Sequence, residues 1–388
     1  MLNPSILILN DYHIHAGAET VYRNSIEAFA GKYNVAFFAP VYKKSAHSRH
    51  KIFNISAAFK VAWLAHKNAS EIILIHNYIE QLTVATLYAC YLWKFFRNKK
   101  CKIVHVIHDY ALASPSRANY YFTDRTSIVN FSPFDSLIFK LSKQLSPMSR
   151  SRDLMMKIRW VVLKILFKTD LVDIYVAPSS FMAEFMTAAL KIKKVYFCPN
   201  PVLPGPISDY LPYFKNKQNL INDTIKIGFF GRPALEKGLG SFINEINASS
   251  VKYKLYIYSD PRFIEPATYE LIQSSAGHVL LMGHIEHSRV HDVMAQMDFV
   301  IVPSLWYENA PMVVIESVSS GTKVVARSIG SLKSFGKETT MVFCYDTPDD
   351  LTKILTSKSA RSTDLGLVMN ALNQYTYSNF AEEIARLV

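Results

Sequence analysis

The chain is poor in cysteine, in glycine and in charge, and it carries no long apolar run. Its four cysteines, Cys90, Cys101, Cys198 and Cys344, have neither metal-ligand nor disulfide-framework spacing. A reduced, cytoplasmic setting is therefore expected. Glycine occurs only 13 times in 388 residues. The first strand turn, HIHAGAE (13–19), is not the dinucleotide fingerprint G-x-G-x-x-G, so nicotinamide chemistry loses support. A P-loop fails as well, because G-x4-G-K would need glycine where Glu236 stands. The longest uncharged apolar-leaning run, Leu82 to Trp93, is well short of the ~18 residues a membrane span needs. Ile6 to Leu9 is too short, and lacks the basic flank, for a secretory leader. With only 19% charged and 50% hydrophobic residues, disorder is not expected and two domains of ordinary size can each bury a core.

The charge that is present is unevenly placed. Up to Gly205 there are 26 Lys and Arg against 12 Asp and Glu; beyond it there are 17 against 19. The whole excess of +12 lies in the first half. Such asymmetry predicts an anionic partner there: lipid head groups, a lipid-diphosphate acceptor or nucleic acid. The basic, apolar segment from Leu137 to Phe167 reads either as a helix with a solvated face or as an interfacial membrane element. In the second reading Trp160, Val161, Leu163, Ile165 and Phe167 meet the lipid.

Short buried strands alternate with helical segments along the chain, which predicts an α/β fold of doubly wound parallel sheets. Residues 1–203 form the expected N-terminal domain and 204–374 the second, with the closing helix 375–388 packing back on the first. In the first domain the turn at Gly17 lets backbone N–H groups approach a ligand. The strand from Lys102 ends in His108-Asp109 at a carboxyl edge, where site residues collect.

The second domain carries a denser constellation. The strand Ile225 to Phe230 delivers Gly231 and Arg232 to its carboxyl end, and Lys237-Gly238 follows a short loop later. From Phe299 to Gly330 the chain reads strand, loop, helix, turn, strand, with Asn309 as a candidate cap and Pro311 at an early helical position. Such a unit aims a helix N-terminus, here Asn309, Ala310, Pro311 and Met312, into the crevice at the sheet edge where phosphates bind. Arg232 offers a planar fork and Lys237 a point charge for a diphosphate. Glu308 and Glu316 bracket the same site. A carboxylate beside a phosphate is costly unless it holds hydroxyls, and sugar and ribose hydroxyls meet that need. No metal is required, and Asp346, Asp349 and Asp350 read as a helix cap rather than a metal set.

GFFGRPALEKG together with the E-x7-E pair around NAPMVVI resembles the retaining glycosyltransferases of family four. The HD strand end, VAPSSFM, CPNPV and the closing helix fall in the same order, so the resemblance spans nearly the whole chain. It implies a GT-B fold of two facing Rossmann-like domains, the first on the acceptor side and the second binding the nucleotide sugar. It further implies that Glu316 holds the ribose, Glu308 the donor sugar, and Arg232 and Lys237 the diphosphate. Gly17 is then expected under the phosphates, and His108 facing the sugar. Gly231 and the 309–312 segment complete donor binding. The implied activity is a metal-independent hexosyltransferase without cofactor, moving sugar from a nucleotide diphosphate to a glycan or lipid-linked acceptor. Cell-surface polysaccharide or lipopolysaccharide biosynthesis, at the inner face of the membrane and without nucleic acid, is the expected setting. A nucleotide-sugar 2-epimerase and a non-catalytic basic binding protein are the alternatives.

Overall fold

The computed structural model describes residues 3–12, 17–40, 53–215, 224–357 and 365–388. Two compact units divide the chain: residues 1–204 with Tyr377–Val388, and residues 205–376.

The first unit is built on a six-stranded parallel sheet. Its strands are β1 (Ser5–Leu9), β2 (Asn34–Phe38), β3 (Ile72–Ile75), β4 (Lys102–Val106), β7 (Ile174–Ala177) and β8 (Tyr196–Phe197), in the order β2-β1-β3-β4-β7-β8. β5 (Tyr120–Phe122) and β6 (Ile128–Asn130) form a separate antiparallel hairpin. The helices are α1 (Gly17–Phe29), α2 (Ile55–Lys67), α3 (Thr83–Arg97), α4 (Leu137–Ser142), α5 (Arg150–Leu166) and α6 (Ser180–Leu190). Central strands such as SILIL are buried at every residue, because helices cover both faces of a parallel sheet. Each of Ile6, Leu7, Ile8 and Leu9 is fully buried, contributing about 1.5–3 kcal/mol of transfer free energy. Phe380, Ala381 and Ile384 of the closing helix join this core beside Tyr22 and Phe29.

The second unit repeats the plan with β9 (Ile225–Phe230), β10 (Tyr253–Tyr258), β11 (Val279–Leu281), β12 (Phe299–Val302), β13 (Lys323–Arg327) and β14 (Val342–Tyr345), ordered β11-β10-β9-β12-β13-β14. Its helices are α7 (Leu211–Lys215), α8 (Leu239–Asn247), α9 (Pro266–Ser274), α10 (Val290–Ala295), α11 (Met312–Ser319), α12 (Gly330–Glu338), α13 (Pro348–Thr356) and α14 (Leu365–Asn373), and α15 (Tyr377–Leu387) returns to the first unit. Counting strands from β9, this is the 3-2-1-4-5-6 order whose switch point lies between β9 and β12. α11 ends in a Schellman motif: Gly321 takes φ +67 and donates to Val318 O, while Thr322 donates to Ser317 O. α13 opens on a capping box between Thr347 and Asp350, with Asp349 also in its first turn.

Two local expectations are corrected. Asn309 does not cap α11: the N-cap is Pro311 and no side chain caps the helix. Pro311 takes φ −68 and ψ 115, extended rather than helical, so the helix starts at Met312. In α5, Trp160 and Leu163 are buried, as is Phe167 just beyond its end, whereas Leu154, Met155, Ile158 and Ile165 are exposed. The helical period turns the tryptophan face toward the sheet and leaves a different apolar stripe outward. Much of the polar run beyond Lys215, and His13 to Ala16 of the first turn, lie outside the described residues.

Candidate active site

In the second unit, β9 and β12 run side by side and end at the same edge. The chain leaves β9 through Gly231 and Arg232, passes a short 3-10 turn over Leu235–Lys237, and enters α8 at Gly238. The loop after β12 crosses directly over this turn: Leu305 N–H donates to Glu236 O at 2.8 Å. Gly238 sits at φ +70, where an added Cβ would lie 2.0 Å from Pro303 O. Only glycine permits that approach.

The crossing brings two predicted residues together. Lys237 Nζ lies 2.7 Å from Glu308 Oε1, and the Glu308 side chain is only 6% exposed against 29% for Lys237. Ser304 Oγ donates to the same carboxylate oxygen at 2.6 Å, and Ser331 Oγ donates to the Glu308 carbonyl at 2.7 Å. Lys237 also stands 5.2 Å from the centroid of the Trp306 ring. Glu308 is thus held by a cation and two hydroxyls at the head of α11, whose first N–H groups have no intrahelical acceptor.

Arg232 is placed differently. It is well exposed and pairs with Glu236 at 2.7 Å, which ties it to the same turn but not to the Lys237–Glu308 pair. Glu316 lies on α11, one turn further in, and burial pushes its carboxyl pKa up, with His287 opposing. Asn309, Ala310, Pro311 and Met312 are half-buried in the segment that opens α11.

Gly17 and His108 belong to the first unit. Gly17 is the exposed first residue of α1. His108 follows β4 and lies nearly coplanar with His76, which follows β3, the Nε2 of one 2.7 Å from the Nδ1 of the other. Burial lowers the His108 pKa to about 4, opposed by Asp109, and lowers that of His76 as well. One neutral ring therefore donates to another. Around them lies a polar network that the sequence did not reveal. Arg117 bridges Glu80 and Asp109, and Tyr12 donates to Glu80. Asp11 accepts four backbone N–H bonds from Ile79 to Leu82.

Ser331, His76 and Arg117 were missed because no local period marks them: each meets its partner through the fold. Ser304 alone had a local signal, standing four residues before Glu308.

Residues 224–357 match the family model described as Glycosyl transferases group 1. One curated relative, described as an uncharacterized 42.6 kDa protein in cps region of Klebsiella pneumoniae, is 22% identical over 271 residues. The match takes in 69% of this chain and spans 61% of that relative's length. A glycosyltransferase from Rickettsia africae aligns with TM-score 0.65 at 13% identity, covering 99% of this chain and 98% of its own. HepE of Anabaena, solved with UDP and glucose, aligns at 0.63 and 15%, covering 99% of both chains. Sucrose-phosphate synthase from Thermosynechococcus elongatus gives 0.63 and 14%, with 99% and 98% covered. The fold is GT-B. With the matched family model it supports a GT-B glycosyltransferase.

Proposed function

We propose that this chain transfers a hexose from a nucleotide diphosphate sugar to a glycan or lipid-linked acceptor, with retention and without a metal. The observation that carries the proposal is the buried Lys237–Glu308 pair at the β9/β12 switch point, beside the head of α11. A diphosphate placed there meets Lys237, the first N–H groups of α11 and, after release from Glu236, Arg232. Those groups take up negative charge as the glycosyl bond breaks. Lys237 exchanges partners, from Glu308 to the phosphate, and Glu308 is then open to sugar hydroxyls. Glu316 holds the ribose hydroxyls, and Gly17 and Gly231 let backbone approach the donor. His108, neutral at pH 7 through burial, serves the sugar as a hydrogen-bonding group rather than a charge.

In the transfer step the C1–O bond to the diphosphate breaks and a C1–O bond to the acceptor forms on the same face. The acceptor proton passes to the departing phosphate oxygen, so no protein nucleophile is needed. The first unit holds the acceptor, and the UDP seen in the HepE structure makes UDP-sugars the first donors to test. The genomic setting of the Klebsiella relative supports a role in surface polysaccharide synthesis.

The test is a thermal-shift panel of UDP-, GDP- and dTDP-sugars, followed by transfer assays on the donor that stabilises the protein. Glu316→Ala is expected to weaken donor affinity roughly 10-fold or more, and Glu308→Ala to cut turnover with a smaller effect on affinity. Full affinity and transfer in both variants would refute the assignment. Epimer formation from the donor alone would instead establish the epimerase.

A further inference from the structure

We infer that α2, α3 and α5 form one bilayer-docking face for anionic lipid. The topology puts them together. β2→β3, β3→β4 and β4→β7 all step the same way along the sheet, so right-handed crossovers place their helices on one side. α1, stepping the opposite way, lies on the other side against α15. α2 packs along α3, and Tyr88 of α3 donates to Leu166 O at the end of α5.

The outer surface of this layer is apolar where a solvated surface should be polar. Ile55, Phe59 and Trp63 recur every four residues along α2, and Phe59 is 74% exposed. α3 adds Leu92, Phe95 and Phe96, the last 72% exposed. α5 adds Leu154, Ile158 and Ile165 at helical spacing, with Ile165 65% exposed. Large exposed apolar surfaces of this kind mark interaction sites.

Charge selects the occupant. The three helices together carry nine Lys and Arg and a single Asp, Asp153, which pairs with Lys157. Lys67 lies 5.1 Å from the Trp63 ring centroid and Lys99 lies 5.6 Å from that of Phe95, so amines and rings share one surface. Lys94 and Lys157 are neutralised by Asp173 and Asp153, but the remaining cations are in excess, and a second copy docked face to face would set them against their like. A nucleic acid would satisfy the cations but leave the aliphatic stripes in water. A membrane with acidic head groups answers both, the rings and aliphatics entering the acyl boundary while the cations stay at the phosphates. This extends the reading of a membrane-face acceptor and rests on it, but uses a surface apart from the donor-site residues.

The test is co-sedimentation of the full chain with vesicles of phosphatidylcholine alone or with a quarter phosphatidylglycerol, alongside Trp63 emission. The wild type is expected to pellet with the acidic vesicles, less so as salt rises, with a blue shift that Trp63→Phe removes. Phe59→Ser/Trp63→Ser/Phe96→Ser should lower partitioning at least roughly tenfold. Lys60→Ser/Lys67→Ser should lower it about 25-fold, at roughly fivefold per cation. Because these side chains point outward, thermal unfolding of both variants should match the wild type. No pelleting of the wild type, or pelleting unchanged in the apolar variant, overturns the inference. So does a dimer, seen by sedimentation velocity, that the same substitutions dissolve while vesicles remain unbound. UDP binding measured without vesicles reports on the transferase reading separately, since none of these residues belongs to the donor site.

Discussion

Removing either partner of the Lys237–Glu308 pair should produce opposite effects on nucleotide affinity. Lys237→Met takes away the cation and leaves the Glu308 carboxylate, 6% exposed, with only the Ser304 hydroxyl for company. Breaking a buried ion pair from one side costs about 3–5 kcal/mol. The lysine is 29% exposed, so water replaces part of what is lost, and about 2–3 kcal/mol is the better figure. For a unit of this size that lowers its melting temperature by roughly 4–12 °C. The same variant loses a direct diphosphate contact, and UDP affinity should fall roughly 10- to 100-fold, or about 1.5–3 kcal/mol. Glu308→Gln removes the competitor for the same ammonium while keeping a group that Ser304 can bond. It should leave stability nearly unchanged, hold or raise UDP affinity, and still lower the rate of sugar transfer. Calorimetric unfolding and titration calorimetry with UDP read both quantities on the same samples. If Glu308→Gln weakened UDP as much as Lys237→Met does, the two groups would not compete and the partner exchange would be wrong. An unshifted melting transition for Lys237→Met would show that the pair carries no stability.

Gly238→Ala is expected to destabilise the second unit by more than the ~1–2 kcal/mol of a left-handed alanine, because its Cβ would meet Pro303 O at 2.0 Å. Gly31→Ala, at φ +82 with nothing within 4 Å, should cost only the conformational part, and equal melting shifts for the two would refute the close-approach argument. In the first unit, burial lowers the His108 pKa to about 4 and that of His105 to about 3. Below the ordinary histidine range the unfolded chain then binds more protons than the folded one, so stability rises with pH between about 4 and 6.5 and is lost on acidification. Denaturant titrations from neutral pH to pH 4 should show this slope, and His108→Gln should flatten it; an unchanged slope in the variant would place the titration elsewhere.

How far the sequence reaches is visible in particular residues. The uninterrupted apolar strands and the G-R-x4-K-G and E-x7-E elements were legible because each is a local pattern that local physics makes necessary. The helix start at Pro311 was misjudged by one cap because Asn309 has the right chemistry but the chain does not place it there. Trp160 looked like an interfacial residue by composition, and only the helix phase set by packing on the sheet buried it.

By itself, then, the chain determined two parallel-sheet units and the glycines and proline of the β9 and β12 turns, and it offered the side chains proposed to answer a diphosphate and hydroxyls. Those follow from period, backbone freedom and charge, all of which are written in adjacent residues. Tertiary structure alone decided that Lys237 meets Glu308, that two serine hydroxyls hold that glutamate, that His76 engages His108, and that α2, α3 and α5 share an outer face. Apart from the Ser304 bond, which is four residues long, each of these joins segments separated by 23 to 71 residues or by a crossover, and distance in space between such segments is set by strand order, which no local pattern encodes.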